Sequence, residues 1–163
     1  MSHNTPDTDL SPERVDVRGP RFAAWITTGV LVVVLIAAAI STPLAAVLIA
    51  LQAVVFALGA LHGPRRSPYG RIYAAVVAPS NGPPPETEPV PPLRFAQLVG
   101  GVFAVLSFVG FVAGSTVAGA IFTGFALFAA FLNAAFGVCL GCLLYPFAQR
   151  LLPRSAVPTD SPT

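Results

Sequence analysis

Residues 22–61 read FAAWITTGVLVVVLIAAAISTPLAAVLIALQAVVFALGAL and contain no charged side chain. An α-helix rises 1.5 Å per residue, so about 20 apolar residues cross the ~30 Å hydrocarbon core of a bilayer. The stretch is long enough for two crossings, and Ser41-Thr42-Pro43 marks a turn near its middle, with a proline suited to a first helical turn. It predicts a hairpin of two membrane-spanning helices, over about 22–41 and 43–62.

A second stretch of this kind fills the other half of the chain. Residues 95–149 contain no Asp, Glu, Lys, Arg or His, and Gly114-Ser115-Thr116 supplies the turn signal. The pattern predicts spans over about 95–114 and 117–143. The predicted fold is therefore all-α: a polytopic membrane protein of four transmembrane helices, built as two helical hairpins joined by a Pro-rich cytoplasmic loop over 63–94.

The composition supports a membrane protein and excludes several other classes. Of 163 residues, 55% are hydrophobic and 10% are charged, whereas soluble domains carry about 25% charged residues. The net charge of +2 and the absence of RNA-binding or zinc-finger spacings argue against a nucleic-acid partner. No phosphate-binding loop, paired carboxylates or Ser-His-Asp set occurs, so no bound cofactor is predicted and whether the chain is an enzyme stays open.

The two ends of the chain differ from its middle. Residues 1–20 and 153–163 are rich in Ser, Thr, Pro and Asp, and we expect both to be disordered tails around a transmembrane domain at 21–152. A signal peptide is disfavoured, because the charged region before the first span is too long and its apolar region exceeds 7–15 residues.

Basic residues indicate the orientation in the membrane. All nine are arginines, and none lies in the two tight turns. They are Arg14, Arg18, Arg21, Arg65, Arg66, Arg71, Arg94, Arg150 and Arg154. Because basic residues are retained on the cytoplasmic side, both termini and the central loop are predicted to be cytoplasmic in a multi-pass protein of the cell membrane.

The central loop has two parts. Residues 69–77 are apolar with two tyrosines four apart, which fits either a helix on the membrane surface or a short connecting helix packed on the bundle. Residues 79–92 are half proline, and we expect an extended spacer that forms neither helix nor sheet.

Small and polar residues within the spans predict helix packing. Gly59/Gly63, Gly110/Gly114 and Gly137/Gly141 are pairs of the kind that let helices approach closely in lipid. Asn133 lies on the same helical face as the last of these pairs and is assigned a structural role, with Gln52 or Gln97 as its expected hydrogen-bond partner on another helix.

The two cysteines, Cys139 and Cys142, form the strongest candidate site. If the fourth span starts near Val117, they lie about 33 Å and 38 Å along it, at the cytoplasmic boundary. The other spans bring Arg21, His62 and Arg94 to this boundary. We therefore predict a layer in which arginines anchor the helices and His62 acts as a base or proton relay for the thiols.

Three interpretations of the pair remain open. A redox or sulfur-handling dithiol is the first, and two small packing residues are the second. A metal site is least favoured, because two thiolates are half of a zinc site and His62 and His3 would have to complete it. A position near a helix C-terminus would raise the thiol pKa unless the helix breaks at Gly137 or Gly141. On the cytoplasmic side the resting state is expected to be the dithiol.

Four stretches together resemble a known family: VDVRGPRFAAW (15–25), LHGPRRSPYGRIYAAVVAP (61–79), PPLRFAQLVG (91–100) and GFALFAAFLNAAFGVCLGCLLY (124–145). They resemble the actinobacterial membrane family called domain of unknown function 4395, over about residues 15–152. The resemblance implies a small integral membrane protein with a C-x-x-C helix and, as partners, thioredoxin-like or sulfurtransferase proteins. The positions it highlights are Asp16, Arg18, Arg21, Arg65, Arg66, Asn133, Cys139 and Cys142.

The leading functional hypothesis is a cytoplasm-facing dithiol that exchanges electrons or sulfur with a soluble partner. One cysteine attacks a partner disulfide or persulfide and the other resolves the mixed disulfide, in an order that the sequence leaves open. The alternative is a non-enzymatic membrane scaffold or assembly subunit with packing cysteines. A small transporter ranks third, because the spans carry no intramembrane charge.

Overall fold

Six helices and one short two-stranded sheet make up the computed structural model, which describes residues 13–151. The elements are β1 (Arg14–Asp16), α1 (Arg18–Ile40), α2 (Thr42–His62), α3 (Pro68–Ile72), β2 (Thr87–Pro89), α4 (Val90–Val112), α5 (Thr116–Phe136) and α6 (Leu140–Leu151). A π-helical turn (Tyr73–Val77) and a 3₁₀ turn (Ala78–Ser80) extend α3.

The four long helices form a ring. Helix α1 packs against α2 and α5, and α4 packs against α2 and α5. Each of the four is long and apolar enough to cross a membrane, and most of their large apolar side chains are exposed on the outside of the ring, as lipid contact requires. This confirms the predicted all-α polytopic fold.

The two ends of the ring are packed differently. At one end, here called the turn end, the hairpin turns meet through a 2.9 Å hydrogen bond between the hydroxyls of Thr42 and Thr116. Behind it lie fully buried residues from all four helices, which are Leu31, Val34, Ala45, Ile49, Ala104, Ser107 and Thr123. At the opposite end, here called the arginine end, α1 and α4 begin and α2 and α5 finish, beside Arg21, Arg65 and Arg94.

In two of the predicted glycine pairs, one glycine packs against a neighbouring helix and the other lies at a helix end. Gly110 packs directly on α5, since a Cβ built on it would lie 2.7 Å from the Gly119 nitrogen. Its predicted companion, Gly114, instead forms the turn, with φ of +81°. In the same way Gly59 packs against Gln97, whereas Gly63 ends α2 with φ of +85°. The four-residue spacing here therefore combines one helix contact with one helix end.

The Pro-rich loop and the N-terminal tail are more ordered than predicted. Thr87–Pro89 pairs antiparallel with Arg14–Asp16, and α4 already begins at Val90. The expectation that residues 79–92 form neither helix nor sheet was therefore wrong, because prolines are accepted in the first turn of a helix, where no N–H is needed. Residues 1–12 and 152–163, where most of the predicted tails fall, lie outside the described residues.

Helix α3 and its extension form the second of the two arrangements predicted for residues 69–77, a connecting helix packed on the bundle. Tyr73 is buried, and the Tyr69 hydroxyl donates to Gln52 Oε1 over 2.7 Å. Gln52 is thus joined to the connecting helix and has no hydrogen bond to Asn133. Burial raises the pKa of Tyr69 above its ordinary value.

The Asp16 carboxylate links the start of α1 to this connecting helix. Arg18 Nη2 lies 3.0 Å from Asp16 Oδ2, and the Tyr73 hydroxyl donates to the same oxygen. Burial acts to raise the pKa of Asp16, but the hydrogen bonds and charge of Arg18 outweigh it and keep that pKa below its ordinary value. The carboxylate therefore stays ionised and holds three segments together at the arginine end.

Candidate functional site

A helix break separates α5 from α6, immediately before the cysteines. Gly137 has φ of +68°, a left-handed conformation that favours glycine, and its N–H donates to the Asn133 carbonyl over 3.1 Å. The Val138 N–H donates to the Leu132 carbonyl over 3.3 Å, which completes the helix end. The sequence predicted one span over 117–143, whereas the structure ends α5 at Phe136 and starts a separate helix at Leu140.

This break places the cysteine pair at the N-terminus of a helix. Cys139 directly precedes α6 and its carbonyl accepts the Leu143 N–H, while its Sγ accepts the Cys142 N–H over 3.3 Å. This is the geometry of an N-cap residue. The expected position near a helix C-terminus is therefore replaced by one where the helix dipole stabilises thiolate.

The structure holds Cys139 and Cys142 as a disulfide, with their Cα atoms 5.2 Å apart. That separation lies within the usual range for a disulfide, so the backbone at the helix start already suits the oxidised pair. Because two residues separate the cysteines in one helical turn, the reduced pair would keep both sulfur atoms at the same helix end. The dithiol expected at rest is thus one of two states that this backbone accommodates.

The pair sits between two cavities. The smaller, here called the outer cavity, has a volume of about 470 Å³ and is lined by both cysteines, Gly137 and Glu88. Val15, Val90 and Leu93 form the apolar cluster against which the cysteines pack. The larger, here called the inner cavity, has a volume of about 600 Å³ and is lined by Cys139 together with all four ring helices. Cys139 therefore borders both spaces.

Glu88 is the acidic group of the outer cavity. Burial raises its pKa, the charge of Arg21 acts in the opposite direction, and Glu86 adds to the rise. Because its pKa is raised, this carboxylate can accept and return a proton at a pH closer to neutral than an exposed glutamate can. Sequence reasoning missed Glu88 because it lies in the Pro-rich segment, and only its pairing opposite Val15 brings it to the cysteines.

The predicted cationic layer is only partly assembled. Arg21 lies against the helix break, since a Cβ built on Gly137 would stand 2.5 Å from its Nη2. Arg94 instead binds the end of α2, donating to the carbonyls of Ala60 and Leu61 over 2.7 Å and 2.6 Å. His62 is exposed at that helix end and lines neither cavity, so the structure does not bring it to the thiols.

Asn133 and Gln97 both line the inner cavity, from α5 and α4. Both residues are half-buried, and within residues 13–151 neither side-chain amide makes a hydrogen bond to protein, whereas the fully buried amide nitrogen without a partner there is Gln52 Nε2. The predicted bond between Asn133 and another helix is therefore absent from this part of the chain, and two amides face a largely apolar space.

The described residues contain no group of three His, Cys, Asp or Glu side chains placed to hold a metal ion. His3, which the metal interpretation required, lies outside them.

Comparison with protein-family models gives a match over most of the chain. The family model described as Domain of unknown function (DUF4395) matches residues 15–150, which include all four long helices, the connecting helix and both cysteines. No curated protein and no solved structure matches the chain.

Proposed function

This chain belongs to the DUF4395 family, whose description assigns no activity, and we propose a function from the thiol site itself. The protein is a membrane-embedded dithiol–disulfide carrier. Its cysteine pair exchanges two electrons with the cysteines of a soluble thioredoxin-like or sulfurtransferase partner at the cytoplasmic face.

One observation carries this proposal: Cys139 is the N-cap residue of α6 and its sulfur accepts the Cys142 N–H. A thiolate in this position is stabilised by the hydrogen bond and by the helix dipole, which lower thiol pKa values at helix N-termini. A pair that served packing alone would not need a helix break directly before it. We assign Cys139 as the nucleophile and Cys142 as the resolving cysteine.

The exchange conserves atoms and electrons. The Cys139 thiolate attacks a partner disulfide, forms the mixed disulfide and releases one partner thiolate, which takes up a proton. Cys142 then loses its proton and attacks Cys139 Sγ, which forms the internal disulfide and releases the second partner thiolate. The partner gains two electrons and the pair loses two, and the reverse sequence transfers them back.

The cytoplasmic orientation rests on the distribution of arginine. The turn end carries none, whereas the arginine end carries Arg21, Arg65 and Arg94. The positive-inside rule places the arginine end, and with it the outer cavity, in the cytoplasm. A soluble partner would reach the pair through this cavity.

The test is to trap the partner in cells that express the full chain. The Cys142→Ser variant should accumulate a mixed disulfide between Cys139 and a soluble cytoplasmic protein, because the resolving step is blocked. The Cys139→Ser variant serves as the matched control and should accumulate much less. An adduct with an exported protein would overturn the orientation. Absence of adduct from both variants, with normal function of the double Ser variant, would instead support the scaffold alternative.

Glu88 supplies the proton acceptor for the resolving step in this scheme. Replacing Glu88 by Gln should slow resolution about a hundredfold, the scale of general acid–base catalysis, so that mixed disulfide accumulates even with both cysteines present. The measurement is the rate of mixed-disulfide decay in purified protein after mixing with a small aromatic disulfide. Glu86→Gln, two residues away at an exposed position, is the control and should decay at the wild-type rate. Equal rates for the two variants would exclude Glu88 from proton transfer.

A further inference from the structure

The inner cavity occupies the half of the ring that the packed core leaves empty. Fully buried residues concentrate toward the turn end, whereas the cavity begins near Thr27 and Phe125 and extends to the cysteines at the arginine end. Its volume of about 600 Å³ lies within the ~300–1,000 Å³ range of small-molecule sites. The four spanning helices supply most of its wall, and β1, the connecting segment and α6 close it at the arginine end. A ligand that fills the part between the spanning helices must be lipid-soluble.

The polar side chains that line this cavity further restrict the class of ligand that it can bind. About half of the lining residues are alanine, glycine or phenylalanine, and the polar side chains of Asp16, Arg65, Ser67 and Tyr73 lie at the arginine end. Between the helices, the amides of Gln97 on α4 and Asn133 on the neighbouring α5 make no hydrogen bond within the described residues. Amide N–H groups in an apolar space favour a ligand that offers hydrogen-bond acceptors such as carbonyl oxygens. The hydrocarbon part of a phospholipid acyl chain offers no such acceptor.

Cys139 closes the cavity at one end with a group that carries two electrons as a dithiol or disulfide. We propose that the inner cavity binds a lipid-soluble quinone, oriented by Asn133 and Gln97, which oxidises the reduced Cys139–Cys142 pair. The inference rests on the proposed thiol exchange, to which it adds the electron acceptor and the direction of electron flow.

The reaction balances without a further reagent. The two thiols lose two electrons and two protons and form the S–S bond, while the quinone ring gains the electrons and each of its two oxygens gains a proton, giving the hydroquinone. The soluble partner's dithiol then reduces the pair again through the exchange described above. Cys139 borders both cavities, so it contacts the partner from the water side and the quinone from the membrane side.

The experiment uses the full chain in nanodiscs, reduced and freed of reductant under anaerobic conditions. Decylubiquinone is the probe, since its ring is fully substituted and does not add thiols. We expect one hydroquinone, followed by absorbance, for each two thiols lost, and no reaction in the Cys139→Ser/Cys142→Ser variant. Asn133→Leu and Gln97→Leu should each slow oxidation by about tenfold, as loss of a productive hydrogen bond predicts. Gln149→Leu, an exposed amide outside both cavities, should react at the wild-type rate.

Exchange with a small aromatic disulfide is measured in the same samples, so that a folding defect in the amide variants would be detected. Thiols that react with the disulfide but remain reduced beside the quinone would overturn the quinone inference and leave the thiol function standing. Thiols inert to both reagents would overturn both proposals. Equal oxidation of the amide variants and the Gln149→Leu control would exclude the cavity as the quinone site and leave acyl chains as its occupant.

Discussion

Replacing Gly137 by alanine is expected to slow alkylation of the reduced Cys139 thiol at neutral pH about tenfold, because the helix N-terminus that stabilises its thiolate is lost. A residue with a Cβ is strained at the φ of +68° found here, by about 1–2 kcal/mol. The Cβ would also stand 2.5 Å from Arg21 Nη2. Continuation of α5 through this position removes the strain and would place the cysteines inside a longer helix, away from any helix N-terminus.

The measurement is the pH dependence of alkylation of the reduced protein by iodoacetamide. Gly114→Ala is the matched control, because Gly114 also has a positive φ of +81°, lies at the turn end and has open space around its Cβ position. It should lose comparable stability and leave the pH profile of alkylation unchanged. A Gly137→Ala variant with the wild-type pH profile would show that the helix break does not activate the thiol.

The four long apolar helices were predicted correctly from the sequence. The evidence for such a helix accumulates residue by residue along the chain. About 20 consecutive apolar residues identify a span whatever they pack against, and one charge-free stretch covers most of each helix pair. The helix break at Gly137 could not be predicted in the same way. Glycine is common within these spans, and only the left-handed geometry, completed by the Val138 and Gly137 hydrogen bonds, distinguishes an end from a packing contact.

The composition of the site could not be predicted in full, because it depends on contacts between segments that are distant in sequence. Glu88 reaches the cysteines because Thr87–Pro89 pairs with Arg14–Asp16, a strand contact that a proline-rich composition argues against. His62 and Arg94 were placed by helix length alone, which gives depth in the membrane but no position around the ring. Arg94 consequently binds the end of α2, whereas Arg21 lies beside the helix break.

A close contact between α4 and α5 gives the second large prediction. Replacing Gly119 by valine is expected to lower the free energy of unfolding by about 3 kcal/mol, the upper end of the usual cost of overpacking. A Cβ built on Gly119 would overlap the Phe111 ring, and α4 and α5 approach here backbone to backbone through Gly110. Separation of the helices would also break the hydrogen bond that Ser107 Oγ donates to the Gly119 carbonyl over 2.8 Å.

The variant should be compared with Gly124→Val, which lies on the same helix with open space around its Cβ position. Both changes introduce the same β-branched residue into α5, so the difference between them isolates the contact with α4. Unfolding in mixed micelles of increasing SDS content measures both. Because Ser107 and Thr123 are fully buried and bonded to one another over 2.7 Å, opening this interface leaves hydroxyls without partners in an apolar environment. Equal stabilities of the two variants would contradict the backbone contact between α4 and α5 on which the ring depends.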